Sequence, residues 1–286
     1  MVRPIGLGAM PMSIEGRPDE ATSIEVICAA IDAGHELIDT ADAYCLDEHD
    51  VGHNERLVAK ALAASSRGRQ VLVATKGGVR RPGGAWVHDG RPAHIRSACE
   101  ASLRALGVEA ITLYQLHAPD REVPFEDTVG ALADLKAEGK VEHVGLSNVD
   151  VGLIERARQV VPIVSVQNQA SPYHPQGLSD GVLSYCESEG IAFIAYSPLG
   201  GWRAGRIAHE PVLQRLSLQL GATPYQVVLA WLLKASPALI AIPGASKVES
   251  ALGSAGALDL SLSLTDLDEM NATFAAKISP RSPTAE

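Results

Sequence analysis

The sequence carries no CxxC pair and no comparable metal-ligand spacing. Its four cysteines, Cys28, Cys45, Cys99 and Cys186, are scattered, which supplies no disulfide framework and points to a reducing, cytoplasmic setting. No apolar run approaches the ~20 residues that cross a bilayer, and no charged-then-apolar leader is expected ahead of the first strand. Lys and Arg never cluster, and the net charge of −10 creates a field that repels phosphate backbones and anionic headgroups. Nucleic acid and membrane are therefore not expected as partners. No Pro/Ser-rich linker or charge block divides the 286 residues, so one domain, 1–286, is expected, closing with a helix and short tail over residues 264–286. What is present, 46% hydrophobic and 20% charged residues, is the composition of a globular chain with a substantial core.

Eight short β-branched or apolar runs recur along the chain. They are "PIGLGAM" at 4–10, "ELID" at 36–39, "VLVATK" at 71–76, "AITLYQL" at 110–116, "VEHVGLS" at 141–147, "IVSVQ" at 163–167, "IAFIAYS" at 191–197 and "LIAIPG" at 239–244. Between them apolar residues return every three or four positions, as at Ile24, Ile27, Cys28 and Ile31, or Leu132 and Leu135, the spacing of one helical face. Several helical stretches run into a glycine, Gly34, Gly107, Gly139 or Gly190, suited to a left-handed helix end. Strands alternating with helices must be parallel, and near-continuous apolar runs such as "VLVA" and "FIAY" are buried on both faces. Eight such units imply a closed (β/α)8 barrel with its active site at the C-terminal ends of the strands. The competing architecture, an open doubly wound sheet, would carry Gly-x-Gly-x-x-Gly after its first strand, where this chain reads "GLGAMPMS".

The residues that end the strands are polar: Asp39, with Tyr44 in the loop beyond it, Lys76, His117, Ser147 and Asn148, Gln167, and Tyr196 with Ser197. In their order and context they resemble the aldo-keto reductase superfamily. "IDTADAY" is similar to that family's Asp-Thr-Ala-x-x-Tyr segment, "ATKGG" to its lysine strand, "LYQLHAPD" to its histidine strand and "EGKVEHVGLSN" to its fifth-strand motif. "YSPLGGW" and "IPGAS" resemble its two cofactor segments, and the likeness runs from Pro4 to about Leu267.

The resemblance implies reduction of an aldehyde or ketone with NADPH, NADH being the alternative nucleotide, by hydride transfer with a tyrosine as proton donor. A free phenol has a pKa of about 10. Lys76 is expected to lower that of Tyr44, Asp39 to hold Lys76 charged, and His117 to bind the carbonyl oxygen. By the same resemblance Ser147, Asn148 and Gln167 would hold the nicotinamide amide and Tyr196 would stack on the ring. Ser197, Pro198, Leu199, Gly200 and Gly201 would cover the pyrophosphate, with Gly244, Ser246 and Lys247 near the adenosine phosphate. Met10, Cys45, Trp86, Tyr173 and Trp202 are candidate walls of the substrate pocket. A monomer or weak homo-oligomer acting on a small carbonyl compound is expected.

Two segments depart from the family pattern. Where members clamp the adenine with Glu and Asn, "SKVESALGSAGAL" has Gly253 and Ser254. "CLDEHDV" is inserted between Tyr44 and "GHNE". As a loop at the mouth, it would set Asp47, Glu48 and Asp50 beside the substrate entrance and disfavour carboxylated substrates. His49 and His53 raise the question of a metal, but Gly52 and the lack of helical periodicity argue against paired ligands on one helix face, and no metal is expected. The alternatives are a cofactor-binding regulatory subunit with little turnover and, more remotely, a metal-dependent barrel hydrolase.

Overall fold

The computed structural model describes residues 2–275. Its strands are β1 (Leu7–Gly8), β2 (Leu37–Asp39), β3 (Leu72–Gly77), β4 (Ile111–Leu116), β5 (Val141–Ser147), β6 (Ile163–Gln169), β7 (Ala192–Tyr196) and β8 (Leu239–Ile242). They form one parallel sheet in chain order. Parallel bridges Ile5 to Ala241 and Gly8 to Gly244 join its two ends, with Gly6 N donating to Ala241 O at 2.9 Å and Gly8 N to Pro243 O at 3.0 Å. The eight-stranded sheet thereby closes on itself as a barrel. β1 is shorter than the expected run 4–10, because Pro4 lacks an N–H and a 3-10 turn, Met10–Met12, begins two residues after Gly8.

Around the strands run α1 (Glu20–Asp32), α2 (His53–Ala64), α3 (Pro92–Leu106), α4 (Phe125–Ala137), α5 (Val151–Arg158) and α6 (Val182–Glu189). α7 (Pro211–Leu220), α8 (Pro224–Leu233), α9 (Val248–Ala255) and α10 (Leu264–Ala275) follow. The starts are specified locally: Asp19 accepts from Thr22 N, Asp150 from Leu153 N, and Thr223 forms a reciprocal cap with Gln226. Gly107 and Gly190 end α3 and α6 in the left-handed region. On α1 the buried stripe is Val26, Ile27, Ala30 and Ile31, so it is rotated from the expected one; Ile24 and Cys28 are partly exposed. The expected tail lies partly beyond reach, since residues 276–286 are outside the described residues. No single described helix is long and apolar enough to cross a membrane.

The period-two alternation of the strands layers the barrel interior. Leu37, Ala74, Leu113, Ile194 and Ile242 form an apolar plug. Two residues further along β2, β3 and β4, on the same face, come Asp39, Lys76 and Gln115, all buried. Apolar side chains therefore close the barrel below and polar ones crown it. A short antiparallel hairpin, Val79–Arg80 with Val87–His88, rises from the end of β3.

On the outer face of β3, Gly77 is required by its neighbour: an added Cβ would lie 2.0 Å from the Tyr114 hydroxyl. That hydroxyl is buried and has no hydrogen-bond partner among the described residues. Gly77→Ala should cost about 1–3 kcal/mol through overpacking, and adding Tyr114→Phe should restore part of it, as measured by chemical denaturation. Costs that simply add would show that the hydroxyl is not the obstacle.

Candidate active site

Lys76, next to last in β3, has its side chain fully buried, and its Nζ reaches three acceptors. It donates to Asp39 Oδ2 at 2.6 Å, to Thr40 O at 2.9 Å and to Tyr44 Oη at 3.0 Å. Three acceptors match the three N–H groups of an ammonium. Asp39, at the end of β2, is held in turn: its Oδ1 accepts from Gln167 Nε2 at 2.7 Å and, more loosely, from Gln115 Nε2 at 3.5 Å. The backbone brings these together, because Asp39 is paired with Ala74 and Lys76 with Gln115. Tyr44 reaches back over the barrel from a loop in which Tyr44 N bonds Ala41 O and Gly52 N bonds Asp42 O.

The electrostatics depart from expectation in one respect. Burial first, and the charge of Asp39 second, push the Tyr44 phenol well above its ordinary value; the Lys76 ammonium 3.0 Å away does not offset them. Burial pulls the Lys76 ammonium down while Asp39 pulls it back up. His117, at the end of β4, meets Tyr44 edge to face with centroids 5.7 Å apart. Burial and the charge of Lys76 hold its imidazole well below 6.5, and Nδ1 has no partner among the described residues. The site thus combines a protonated phenol, a neutral imidazole and a buried ammonium.

Above them opens a cavity of about 670 Å³, bordered by Met10, Tyr44, Trp86, His117, Ser147, Asn148, Gln167, Tyr196, the run Ser197 to Trp202, and Gly244. Asn148 and Ser197 adopt left-handed backbone conformations, φ 60° and 48°, rare for residues other than glycine and typical of functional sites. The Asn148 side chain donates to His117 O at 3.0 Å and accepts from Tyr196 Oη at 2.8 Å, tying three strand ends together. The amide nitrogen of Gln167 is engaged by Asp39.

Other candidates lie elsewhere. Cys45 is fully buried behind Tyr44, its thiol directed at Ala43 O and pushed up to about 11 by burial. Tyr173 is also behind the wall: its ring lies against Gly200, where a Cβ would come within 2.5 Å. Ser246 and Lys247 precede α9 and do not border the cavity. The acidic loop 45–51 does not border it either. Its charges are used in holding the loop: Asp50 pairs with Arg17 at 2.5 Å, Glu48 accepts from Gly83 N at 2.6 Å, and Asp47 from His49 N at 2.9 Å. His53 shares a hydrogen bond with Ser13 at 2.8 Å, while His49 is exposed. No group of three His, Cys, Asp or Glu among the described residues is arranged to hold a metal.

The profile of the Aldo/keto reductase family matches residues 4–274. An uncharacterised oxidoreductase of Schizosaccharomyces pombe is 38% identical over 255 residues, 87% of this chain and 79% of that protein. A Glycine max protein named "Probable aldo-keto reductase 1" is 33% identical over 299 residues, 94% of this chain and 84% of that protein. Among solved structures, an aldo/keto reductase from Klebsiella pneumoniae in complex with NADP and acetate matches with a TM-score of 0.80 at 26% identity, over 96% of this chain and 92% of that one.

Two buried carboxyl groups behind Lys76 had no sequence signal beyond their place in a polar segment. Asp42 leaves Oδ1 without a partner, and Glu55, bonded by the Thr75 hydroxyl at 2.6 Å, leaves Oε2 without one. Burial first and the Glu55 charge second push Asp42 well above its ordinary 3.8. A carboxyl whose pKa is raised on folding stabilises the fold least once pH exceeds its unfolded value, because the folded chain then holds a proton that the unfolded chain has released. Asp42→Asn should therefore raise Tm relative to the parent protein, with a difference that grows as pH rises above the ordinary carboxyl value of 3.8. A difference independent of pH would contradict this reading.

Proposed function

The chain belongs to the aldo/keto reductase family, and we propose that it reduces an aldehyde or ketone to the alcohol with NADPH, Tyr44 giving the proton. NADPH, when bound, supplies the hydride that the carbonyl carbon receives. The observation that carries this reading is the phenol oxygen of Tyr44 at the cavity floor, 3.0 Å from a buried ammonium. The raised phenol stays protonated through the neutral range and is a proton source; as it donates, the charge that develops on its oxygen meets a Lys76 N–H already in place. Asp39 orients Lys76. His117, neutral and bordering the cavity, steadies the carbonyl oxygen.

The residues around the cavity suit a nicotinamide nucleotide. Ser147 and Asn148 offer a hydroxyl and an amide to a carboxamide, Tyr196 a flat ring, and Gly200 and Gly201 a close backbone approach. Gln167 gives one N–H to Asp39, and its side-chain oxygen would accept from the carboxamide. Ser197, Pro198 and Leu199 would cover the pyrophosphate; Gly244, Ser246 and Lys247 would lie toward the adenosine phosphate. NADPH is favoured over NADH by Lys247, an exposed cation at the start of α9. Four free thiols suit the cytoplasm, and a monomer or weak homo-oligomer suffices, because every proposed group comes from one chain.

Tyr44→Phe should lower kcat by about a hundred-fold or more, with NADPH affinity by fluorescence titration changed only slightly. In the unaltered enzyme kcat/KM for reduction should stay level across neutral pH, since the phenol titrates above that range and the imidazole below it. Activity of the phenylalanine variant near that of the parent would remove Tyr44 from the reaction. Tight NADPH binding without carbonyl reduction in the parent would favour the regulatory-subunit alternative.

A further inference from the structure

Arg81 stands in the tip of the hairpin beside the cavity, only 7% exposed, and all its hydrogen bonds go to backbone carbonyls. Nη1 donates to Ala43 O at 3.2 Å, Nη2 to Leu46 O at 3.1 Å and to Gly84 O at 2.8 Å, and Nε to Gly84 O at 3.1 Å. Ala43 immediately precedes Tyr44, and Gly84 lies two residues before Trp86. The face of the same guanidinium covers the Trp86 ring, with Cζ 3.9 Å from its centroid. Trp86 in turn presents itself to the reacting groups, at 6.4 Å and 70° to Tyr44 and 6.2 Å and 75° to His117.

These contacts add to the Gly83 N bond to Glu48 at 2.6 Å and the Asp89 N bond to Gly78 O at 2.9 Å, neither of which touches Trp86. Trp86 is 48% exposed, and the hairpin beneath it has two residues per strand, too few to be stable alone. Gly83 and Gly84, both at positive φ, add backbone freedom. A planar cation with forked donors can grip carbonyls at its edge while stacking an aromatic ring on its face, which an ammonium cannot do at once.

Resting on the carbonyl-reductase reading, we propose that Arg81 is a positioning residue that ties the Tyr44 loop to the hairpin and so fixes Trp86 as the wall against which a flat, apolar carbonyl substrate packs. Arg81 does not border the cavity, and neither do Ala43 and Leu46, whose carbonyls it holds, so Arg81 acts through Trp86 and not by touching substrate. The apolar neighbours that do border it, Met10, Ile14, Leu199 and Trp202, suit the same substrate class.

The test uses Arg81→Met and Arg81→Lys, each in the parent and in a Trp86→Ala background, with 4-nitrobenzaldehyde and propanal as substrates. In the parent background Arg81→Met should raise KM for 4-nitrobenzaldehyde about five- to ten-fold, the scale of a lost cation–π contact and loosened packing. Its kcat and the KM for propanal should move much less, and Arg81→Lys should fall between. In the Trp86→Ala background the same change should leave KM for 4-nitrobenzaldehyde nearly unaltered. The near-UV circular dichroism band assigned to Trp86 by difference should weaken in Arg81→Met. An equal KM effect in both backgrounds, or an unaltered Trp86 band, would overturn the proposal. If Arg81→Met does not fold, Arg81→Lys answers the same comparison, since it keeps the charge but loses the fork. Should the parent reduce neither aldehyde, the carbonyl-reductase reading fails by itself, and the Trp86 band decides whether Arg81 fixes the wall.

Discussion

A buried ammonium is costly to desolvate, and the candidate site is organised around making one tolerable. Lys76 sits inside the barrel with each N–H assigned, to a carboxylate, a carbonyl and a phenol. Removing any of these acceptors would leave a charge or a donor uncompensated in a low-dielectric interior. The arrangement extends through Asp39 to Gln167 and Gln115, and from Gln115 to Ser165. Residues from β2, β3, β4 and β6 therefore share one polar network. Barrel closure and register are what hold them to a fraction of an ångström, which loops alone would not do.

The network is not neutral in its surroundings. Asp42 and Glu55 add carboxyl groups behind a cation already paired with Asp39, and burial drives both upward. Stability is given up there, as is common where a fold concentrates titratable groups for chemistry. Burial, with the charge of Asp39 next, raises Tyr44 as well, so the phenol is a reserve of protons and not a ready base. Nearer the surface the logic reverses: Arg17 and the Gly83 N–H take up the acids of the inserted loop, and Arg81 spends its charge on backbone carbonyls. A segment that looks like an acidic rim is an internally braced strut.

The barrel was legible because its signals are periodic: apolar runs of strand length, helical spacing between them, and polar residues where each strand stops. Asp39, Lys76 and His117 could be placed at strand ends on that basis, and the family likeness added Tyr44 from the following loop. The direction of the Tyr44 shift was not legible, since it depends first on how deeply the phenol is buried and then on the charge of Asp39 beside it, and nothing in "DAYCLDEHDVGHNE" separates a buried side chain from a solvated one. Cys45 and Tyr173 sit close in sequence or space to cavity residues yet point away from it, a matter of side-chain direction and not of spacing. Arg81 was invisible for a related reason: its partners are carbonyls, which every residue has.

The central claim is that Tyr44 works because Lys76 stands charged beneath it, and the direct measurement is reduction of 4-nitrobenzaldehyde by NADPH in Lys76→Met. With the fold verified by circular dichroism, kcat should fall about a hundred-fold or more, the usual scale for acid–base assistance, while NADPH still binds. A folded variant that retains kcat within a few-fold of the parent would contradict the account.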